Sequence, residues 1–360
     1  MNQDQIHPAI EKILKLPEML SEIRRIGKPV LLYGMGNGAE LTSKYLKENG
    51  IEPSAVFASD GFVRGQRFMG QEVLSVRGAE EKYGDFVAVL SFALEGEKRQ
   101  TAYDFAENHT LFCPSICPFG GVWNRDFVKE NAASLSWLYE KLSDLPSRKA
   151  LIQLLSFAVT GNIAYTHSLP FSVPKGYISH RGIHVDIGAY DGTTALEYLQ
   201  MNGGCQKVNA FEPDPTAFAR LKINTSGYAV ECVNAAVCDK DGVGGFDAKG
   251  SRASALGGNT PVKTVSLDSF YCCRRIGISS GIGSIRIDGE GAEDAILSGS
   301  ANIIYNDKPA VCAAVYHKAN DIIDIPRLLD YQLEGCELYL EVKPYIPAFD
   351  VFIYAVKTLR

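Results

Sequence analysis

The chain has 360 residues, with 36 Lys and Arg against 42 Asp and Glu and a formal net charge of −6 at pH 7. Without a basic block or arginine-rich stripe, that balance counts against a nucleic-acid partner. Apolar residues at 46% and charged residues at 22% are ordinary for a soluble globular enzyme, and no apolar run is long enough to span a bilayer.

The length suggests two or three domains. The opening stretch MNQDQIHPAIEKILKLPEML lacks the basic and apolar regions of a signal peptide, so the expected compartment is cytoplasmic. Ile10, Ile13, Leu14, Leu20 and Ile23 recur near every 3.6 residues and predict a helix over 5–26. KPVLLYG then reads as strand, GAELTSKYLKENG as helix closed by Gly50, and PSAVFASD as strand. FMGQEVLS, the helical VRGAEEKYG and the strand DFVAVLSF follow. This βαβ alternation predicts a small Rossmann-like parallel-sheet domain over 1–120, with three clear strands. Residues 121–160 read as a helical connector broken at Pro146.

A second α/β unit is expected over 161–360. Its main strands are GIHVDIG, KVNAFEP, YAVECVNAAV, IGSIRID and PAVCAAVYH, with helices at TTALEYLQMNGG, DPTAFARLKINT, GAEDAILSGSANII and DIIDIPRLLDYQL. GVGGFDAK and VKTVSLDSF look like inserted strands, and CELYLEVK with FDVFIYAVK suggests a terminal antiparallel hairpin. The fold class expected is therefore α/β: a doubly wound, mostly parallel C-terminal sheet plus the smaller N-terminal domain. Nine cysteines occur and none forms C-x-x-C. They read as reduced, buried thiols rather than disulfides or zinc ligands.

The stretch HVDIGAYDGTT places Asp186, Gly188 and Gly192 at a strand-to-helix turn. Glycines there let backbone pass close to a ligand, and the following helix presents free N–H groups to it. The spacing D-x-G-x-x-x-G resembles the first motif of class I S-adenosylmethionine (SAM) methyltransferases more than the G-x-G-x-x-G of pyrophosphate binding. The next strand ends AFEPDP, with Glu212 at its tip, 20 residues past Gly192. A carboxylate at that place accepts hydrogen bonds from a ribose diol.

HVDIGAYDGTT, NAFEPDPTAFARLKIN, VNAAVCD, VSLDSF, SIRIDGEGAEDAILSGS and AAVYHKANDIIDIPRLL occur in the order seen in the FkbM-like family of SAM-dependent methyltransferases. The resemblance covers roughly residues 176–357, and its F-E-P-x-P and I-D-x-E-G-A-E blocks are the specific ones. It implies a class I methyltransferase fold and O-methylation, often of sugars or polyketides. The family usually carries lysine where Arg286 stands and an aliphatic residue at Gly289. SAM, leaving as S-adenosylhomocysteine, is then the cofactor expected at Asp186, Gly188, Ala189, Tyr190, Gly192, Glu212 and Pro213, with Asn234 and Ala235 on the adenine side and Asp239 a weaker candidate there. Ser251, Arg252 and Ser254 fall in a glycine-rich insertion that reads as a flexible loop or a cover for the site.

RIDGEGAE sets Asp288 and Glu290 just past the fourth strand, and His317 ends the fifth. Asp288 and Glu290 suit an acceptor hydroxyl or the methionine ammonium. His317 suits a general base or a strand-end residue bonded to backbone. Glu293 reads as a helix-capping carboxylate or a site residue. With no third oxygen ligand evident, no metal is expected. The partner expected is a small-molecule or glycan acceptor, and a homo-oligomer stays open.

YGMGNGAE carries Gly34, Gly36, Gly38 and Ala39 in dinucleotide-like spacing, and Asp60 stands where an NAD ribose carboxylate would. Two further functions therefore stay open: an NAD-dependent sugar oxidoreductase using this loop, and a non-catalytic nucleotide-binding scaffold. The reading preferred for the N-terminal domain is a structural or acceptor-recognition role beside O-methyl transfer in the C-terminal one.

Overall fold

The computed structural model describes residues 6–167, 171–178, 182–202, 207–248, 255–272, 281–347 and 349–357. Ser251, Arg252 and Ser254 lie outside them. The chain divides into two compact units: residues 1–140, 145–170 and 342–351 form the first, and 141–144, 171–341 and 352–360 the second. No described helix is long and apolar enough to cross a membrane.

In the first unit the strands are β1 (Val30–Tyr33), β2 (Ala55–Ala58), β3 (Arg67–Phe68), β4 (Gln71–Ser75), β5 (Val87–Leu90) and β6 (Thr110–Phe112). They form a six-stranded sheet of order β3-β4-β2-β1-β5-β6, where the sequence shows three strands clearly. The central strands β1, β2 and β5 are apolar and buried throughout, as parallel strands covered on both faces must be. The three that periodicity leaves unclear lie outside these: β3 has two residues, β4 is half polar, and β6 has three.

The single helix expected over 5–26 is two, Pro8–Leu14 and Met19–Ile26. Pro17 stands between them, and its ring excludes a helical hydrogen bond and pushes Leu16 out of the helical region. The second restarts on Glu18, whose carboxylate accepts from the N–H groups of Leu20 and Ser21. The helices Arg125–Glu130, Ala132–Lys141 and Leu145–Thr160 follow the sheet, with Pro146 in the first turn of the last. Residues 121–140 and 145–160 group with the N-terminal sheet, so the segment read as a connector forms part of the first unit.

The second unit is built on β7 (Ile183–Ile187), β8 (Val208–Phe211), β9 (Val230–Val233), β10 (Ile282–Ile287), β11 (Ala310–Ala314), β12 (Glu337–Val342) and β13 (Val351–Val356). Their order is β9-β8-β7-β10-β11-β13-β12. β7, β8, β9, β10 and β11 pair in parallel, and β13 runs antiparallel to β11. The final two strands are neighbours as expected, but the last enters between the fifth strand and its predecessor. Every residue of β13 is buried, which such a central place requires. The inserted strands Gly242–Asp247 and Thr260–Val265 pair antiparallel in a separate small sheet. The order in which strands are added to the main sheet reverses between the parallel neighbours β7 and β10, so the crevice at the carboxyl ends of those strands is where an open α/β sheet binds ligands.

Inside this unit His184 on β7 is fully buried, with its ring stacked on Tyr198 at 3.6 Å. Its Nδ1 lies 2.9 Å from Ser284 Oγ, which donates to Tyr198 Oη at 2.7 Å. Burial pushes the imidazole down to about 3, with the Arg286 charge adding to the effect. A histidine held neutral in the fold and charged in the unfolded chain stabilises above its unfolded value of about 6.5, and that contribution is lost as pH falls toward 3. Urea unfolding should therefore show stability dropping by a few kcal/mol over that window. His184→Gln should flatten the slope there, even though it weakens the protein at neutral pH.

Candidate functional site

The loop after β7 is shaped by its glycines. Gly188 has φ +75°, and a Cβ on it would sit 2.0 Å from the backbone oxygen of Asp288, so only glycine lets the loops after β7 and β10 meet. Gly192 has φ +89° and precedes the helix Thr193–Met201; a Cβ there would meet Thr225 Cγ2 at 2.6 Å. Gly188 and Ala189 both donate their N–H to the Phe211 carbonyl at the end of β8, at 3.0 Å each. Tyr190, itself at φ +50°, carries the Arg220 guanidinium over its ring at 4.8 Å.

Glu212 ties that loop to the tip of β8. Its Oε2 accepts from the Tyr190 N–H and its Oε1 from the Asp214 N–H, both at 2.8 Å. Burial pushes its carboxyl up to about 7 despite those two backbone donors. Pro213 is half-buried beside it, and Ala235 is buried. Asn234 is exposed and acts as a brace, its amide donating to the Glu212 and Pro213 carbonyls at 2.8 and 3.2 Å. Asp239 is exposed at a turn.

Asp186 is completely buried, and burial raises its carboxyl above the ordinary carboxylate value. Thr194 Oγ1 donates to it at 2.6 Å, and Arg286 Nη1 approaches at 3.3 Å. The other arm of the guanidinium, Nη2, reaches Asp288 Oδ2 at 2.7 Å. Asp288 in turn faces His317, whose Nε2 is 3.6 Å from Asp288 Oδ1 and 3.4 Å from Glu290 Oε2. On the far side of the ring, His317 Nδ1 is bonded to Glu293 Oε1 at 2.8 Å. The chain Thr194–Asp186–Arg286–Asp288–His317–Glu293 is thus one connected charged network.

His317 does not behave as the free base its position suggested. Burial alone would lower its pKa, but Glu293, Glu290 and Asp288 together lift it well above that of a free imidazole. An imidazolium has no lone pair to accept a proton. Carboxylates hold the ring on both sides. Glu290 is in the left-handed region at φ +51°, and burial raises its carboxyl. Glu293 Oε1 accepts from the N–H groups of Gly289 and Gly291 at 2.8 and 3.4 Å at the head of its helix, and the same oxygen orients His317. Asp288, Glu293 and His317 each offer one possible ligand atom, two carboxylate oxygens and an imidazole nitrogen, within 4.8 Å of the others.

In the first unit, packing accounts for two glycines of the dinucleotide-like loop. A Cβ on Gly34 would lie 2.3 Å from the Phe92 ring, and one on Gly38 would lie 2.3 Å from the Ser91 carbonyl. Only Gly36, at φ +91°, faces open space among the three. Ala39 is buried, and Asp60 opens a short exposed turn over Asp60–Phe62. The described cysteines are free thiols.

Residues 186–336 match the model of the family described as methyltransferase FkbM domain. No curated protein matches the chain. Among solved structures, the chain is similar to the methyltransferase FkbM of Methylobacillus flagellatus KT at 18% identity and a TM-score of 0.66, over 97% of this chain and 94% of that one. That likeness shows a shared fold. The fibrillarin of Aeropyrum pernix, solved with S-adenosyl-L-methionine bound, aligns at 15% identity and a TM-score of 0.33 over 50% of this chain and 68% of that one, too distant to carry an argument.

The Arg286 bridge gives a direct test. Removing one partner of a buried charge pair while leaving the other strands a charge in the interior, at a typical cost of about 3 to 5 kcal/mol. Arg286→Met should lower urea-unfolding stability by that order, and Arg286→Lys, which keeps the charge but not the fork, by clearly less. Equal losses in the two variants would mean that the charge is not what matters.

Proposed function

From a chain that carries a SAM-dependent methyltransferase FkbM domain over residues 186–336, we propose O-methyl transfer to a hydroxyl of a carbohydrate or similar polar metabolite. The observation that carries this reading is the placing of Glu212. Its carboxylate stands at the tip of the second strand, with both oxygens aimed by the backbone N–H groups of the neighbouring glycine loop and turn. A carboxylate fixed there retains lone pairs for two adjacent ribose hydroxyls. It would repel a 2′-phosphate, and the ligand expected carries none.

The charge around the crevice fits the same ligand. Asp186, Asp288, Glu290 and Glu293 are set against Arg286 and His317, so carboxylates outnumber cations. Such a site favours a molecule with a sulfonium and an ammonium. Bound there, S-adenosylmethionine would supply a methyl group activated by its sulfonium.

The protein's part is then positioning and proton removal. Gly188 to Gly192 would let the backbone hold the methionine portion, Asn234 and Ala235 would bound the adenine side, and Tyr190 would close the loop. Asp288 is held by Arg286 and receives the acceptor hydroxyl. Glu290, partly exposed and with its carboxyl raised by burial, takes the hydroxyl proton. His317 stays charged and fixes both carboxylates from behind. We place the methyltransferase domain at residues 171–341 with 352–357, and assign the first unit to acceptor recognition.

Isothermal titration with S-adenosylhomocysteine tests this. Wild-type protein should bind it, and Glu212→Gln should weaken binding roughly tenfold or more by losing charge-assisted hydrogen bonds. Only the ionised Glu212 accepts both hydroxyls, so affinity should fall as pH drops below about 7, and that dependence should flatten in the variant. Binding of NADH with no heat from S-adenosylhomocysteine overturns the proposal.

A further inference from the structure

The turn between β12 and β13, residues 342–351, belongs to the first unit. There Tyr345 and Ile346 pair antiparallel with Glu95 and Leu94. Between this turn and the helix Leu145–Thr160 lies a cleft whose nine lining residues all come from the first unit. Leu154 and Phe157 are buried and give it an apolar floor. Gln153, Tyr165 and Tyr345 line it half-buried, and His167 lines it exposed. The cleft measures about 320 Å3 with its open mouth counted, and its depth takes only a water-sized group. A ligand must therefore lie across the mouth and insert one small substituent.

The lining has the chemistry of one ligand class. It contains no carboxylate, lysine or arginine. The Gln153 amide, the Tyr165 hydroxyl and the His167 ring nitrogens have no hydrogen-bond partner among the described residues. Amide, phenol and neutral imidazole each offer both a donor and an acceptor. A sugar hydroxyl also does both, so these groups match an uncharged polyol. A phosphate only accepts, and would meet neither lysine nor arginine here. The tyrosine rings add apolar faces for the C–H side of a sugar ring.

The rim is fixed by contacts of its own. His167 stacks on Tyr103 with ring centroids 4.5 Å apart and planes 16° from parallel. Arg99 Nη1 donates to the Tyr103 hydroxyl at 3.3 Å and to the Thr166 carbonyl at 3.2 Å. Thr166 Oγ1 lies 3.0 Å from Tyr103 Oη, and the Tyr345 hydroxyl donates to Glu95. Rings already held lose little freedom when a ligand binds. We propose that this cleft binds an uncharged sugar ring as a glycoside. Tyr165 and Tyr345 pack against the ring, and Gln153 and His167 hydrogen-bond its hydroxyls. As an acceptor-recognition site the cleft rests on the methyl-transfer reading above; as a sugar-binding site it does not.

Saturation-transfer NMR on the full chain tests this, with the methyl α-glycosides of glucose, galactose and mannose as probes. At least one should receive saturation from the wild-type protein. Gln153→Leu, which keeps the bulk and removes the amide, should weaken that glycoside's binding about fivefold or more. His167→Ala, at an exposed position, should do the same while thermal unfolding shows an intact fold. No transfer to any of the three glycosides, or binding unchanged in both folded variants, overturns the proposal. Tighter binding of glucose 1-phosphate than of the glycosides, weakened by the same substitutions, overturns the uncharged class. S-adenosylhomocysteine titration separates the two readings. Its binding without glycoside binding removes the sugar cleft alone, and glycoside binding without it removes the methyl-donor site alone.

Discussion

The second unit depends on one guanidinium. Arg286 sits on β10 directly opposite Asp186 on β7 in the sheet register. It satisfies that buried carboxylate with one arm and Asp288 with the other. The same register row continues through Ala210 and Cys232 on one side, and through Cys312 and Tyr354 on the other. Among these six residues Asp186 and Arg286 are the carboxylate and the cation, set among small and aromatic neighbours. Two charges so placed are tolerable only as a pair. Their pairing fixes β7 against β10 at the point where the strand order reverses.

From that pair the site is assembled outward. The loops leaving β7 and β10 come within touching distance because Gly188 has no side chain to collide with the Asp288 carbonyl. Asp288 is thereby brought next to His317, which arrives from β11, and Glu293 closes the ring from its own helix. None of these acidic groups would be stable alone at that density. Arg286 and His317 offset part of the charge, and the excess that remains favours cationic ligands. Tyr190 and Glu290, both non-glycine residues with positive φ, mark the two loops that line this crevice. Strain of that kind persists only where surrounding contacts hold it.

The two glycine loops of the chain show how little glycine spacing says by itself. The N-terminal loop has the better dinucleotide pattern, yet Gly34 and Gly38 are required by Phe92 and Ser91 packing against them. The loop after β7 has the poorer pattern, but Glu212 at the neighbouring strand tip bonds directly to it. What separates the two is the company of carboxylates on later strands.

The sequence by itself determined the succession of strands and helices in the second unit, because strands buried on both faces must be apolar runs such as IHVDI and AVCAA. It also determined which residues stand at strand ends, since glycine, proline and acidic residues punctuate those runs. Asp186, Glu212, Asp288 and His317 were legible on that ground. The short strands β3 and β6 were not, because two or three residues carry no period to read. The place of β13 between β11 and β12 was not legible either, since strand order depends on which edges pair rather than on any local pattern. Only the tertiary structure decided that Glu293 grips His317 across 24 residues, that Arg286 bridges two aspartates, and that Asp288 and Glu290 face the same imidazole. These are contacts between groups far apart in the chain. Their energies depend on burial and on distances of a few ångströms, which only the folded sheet sets.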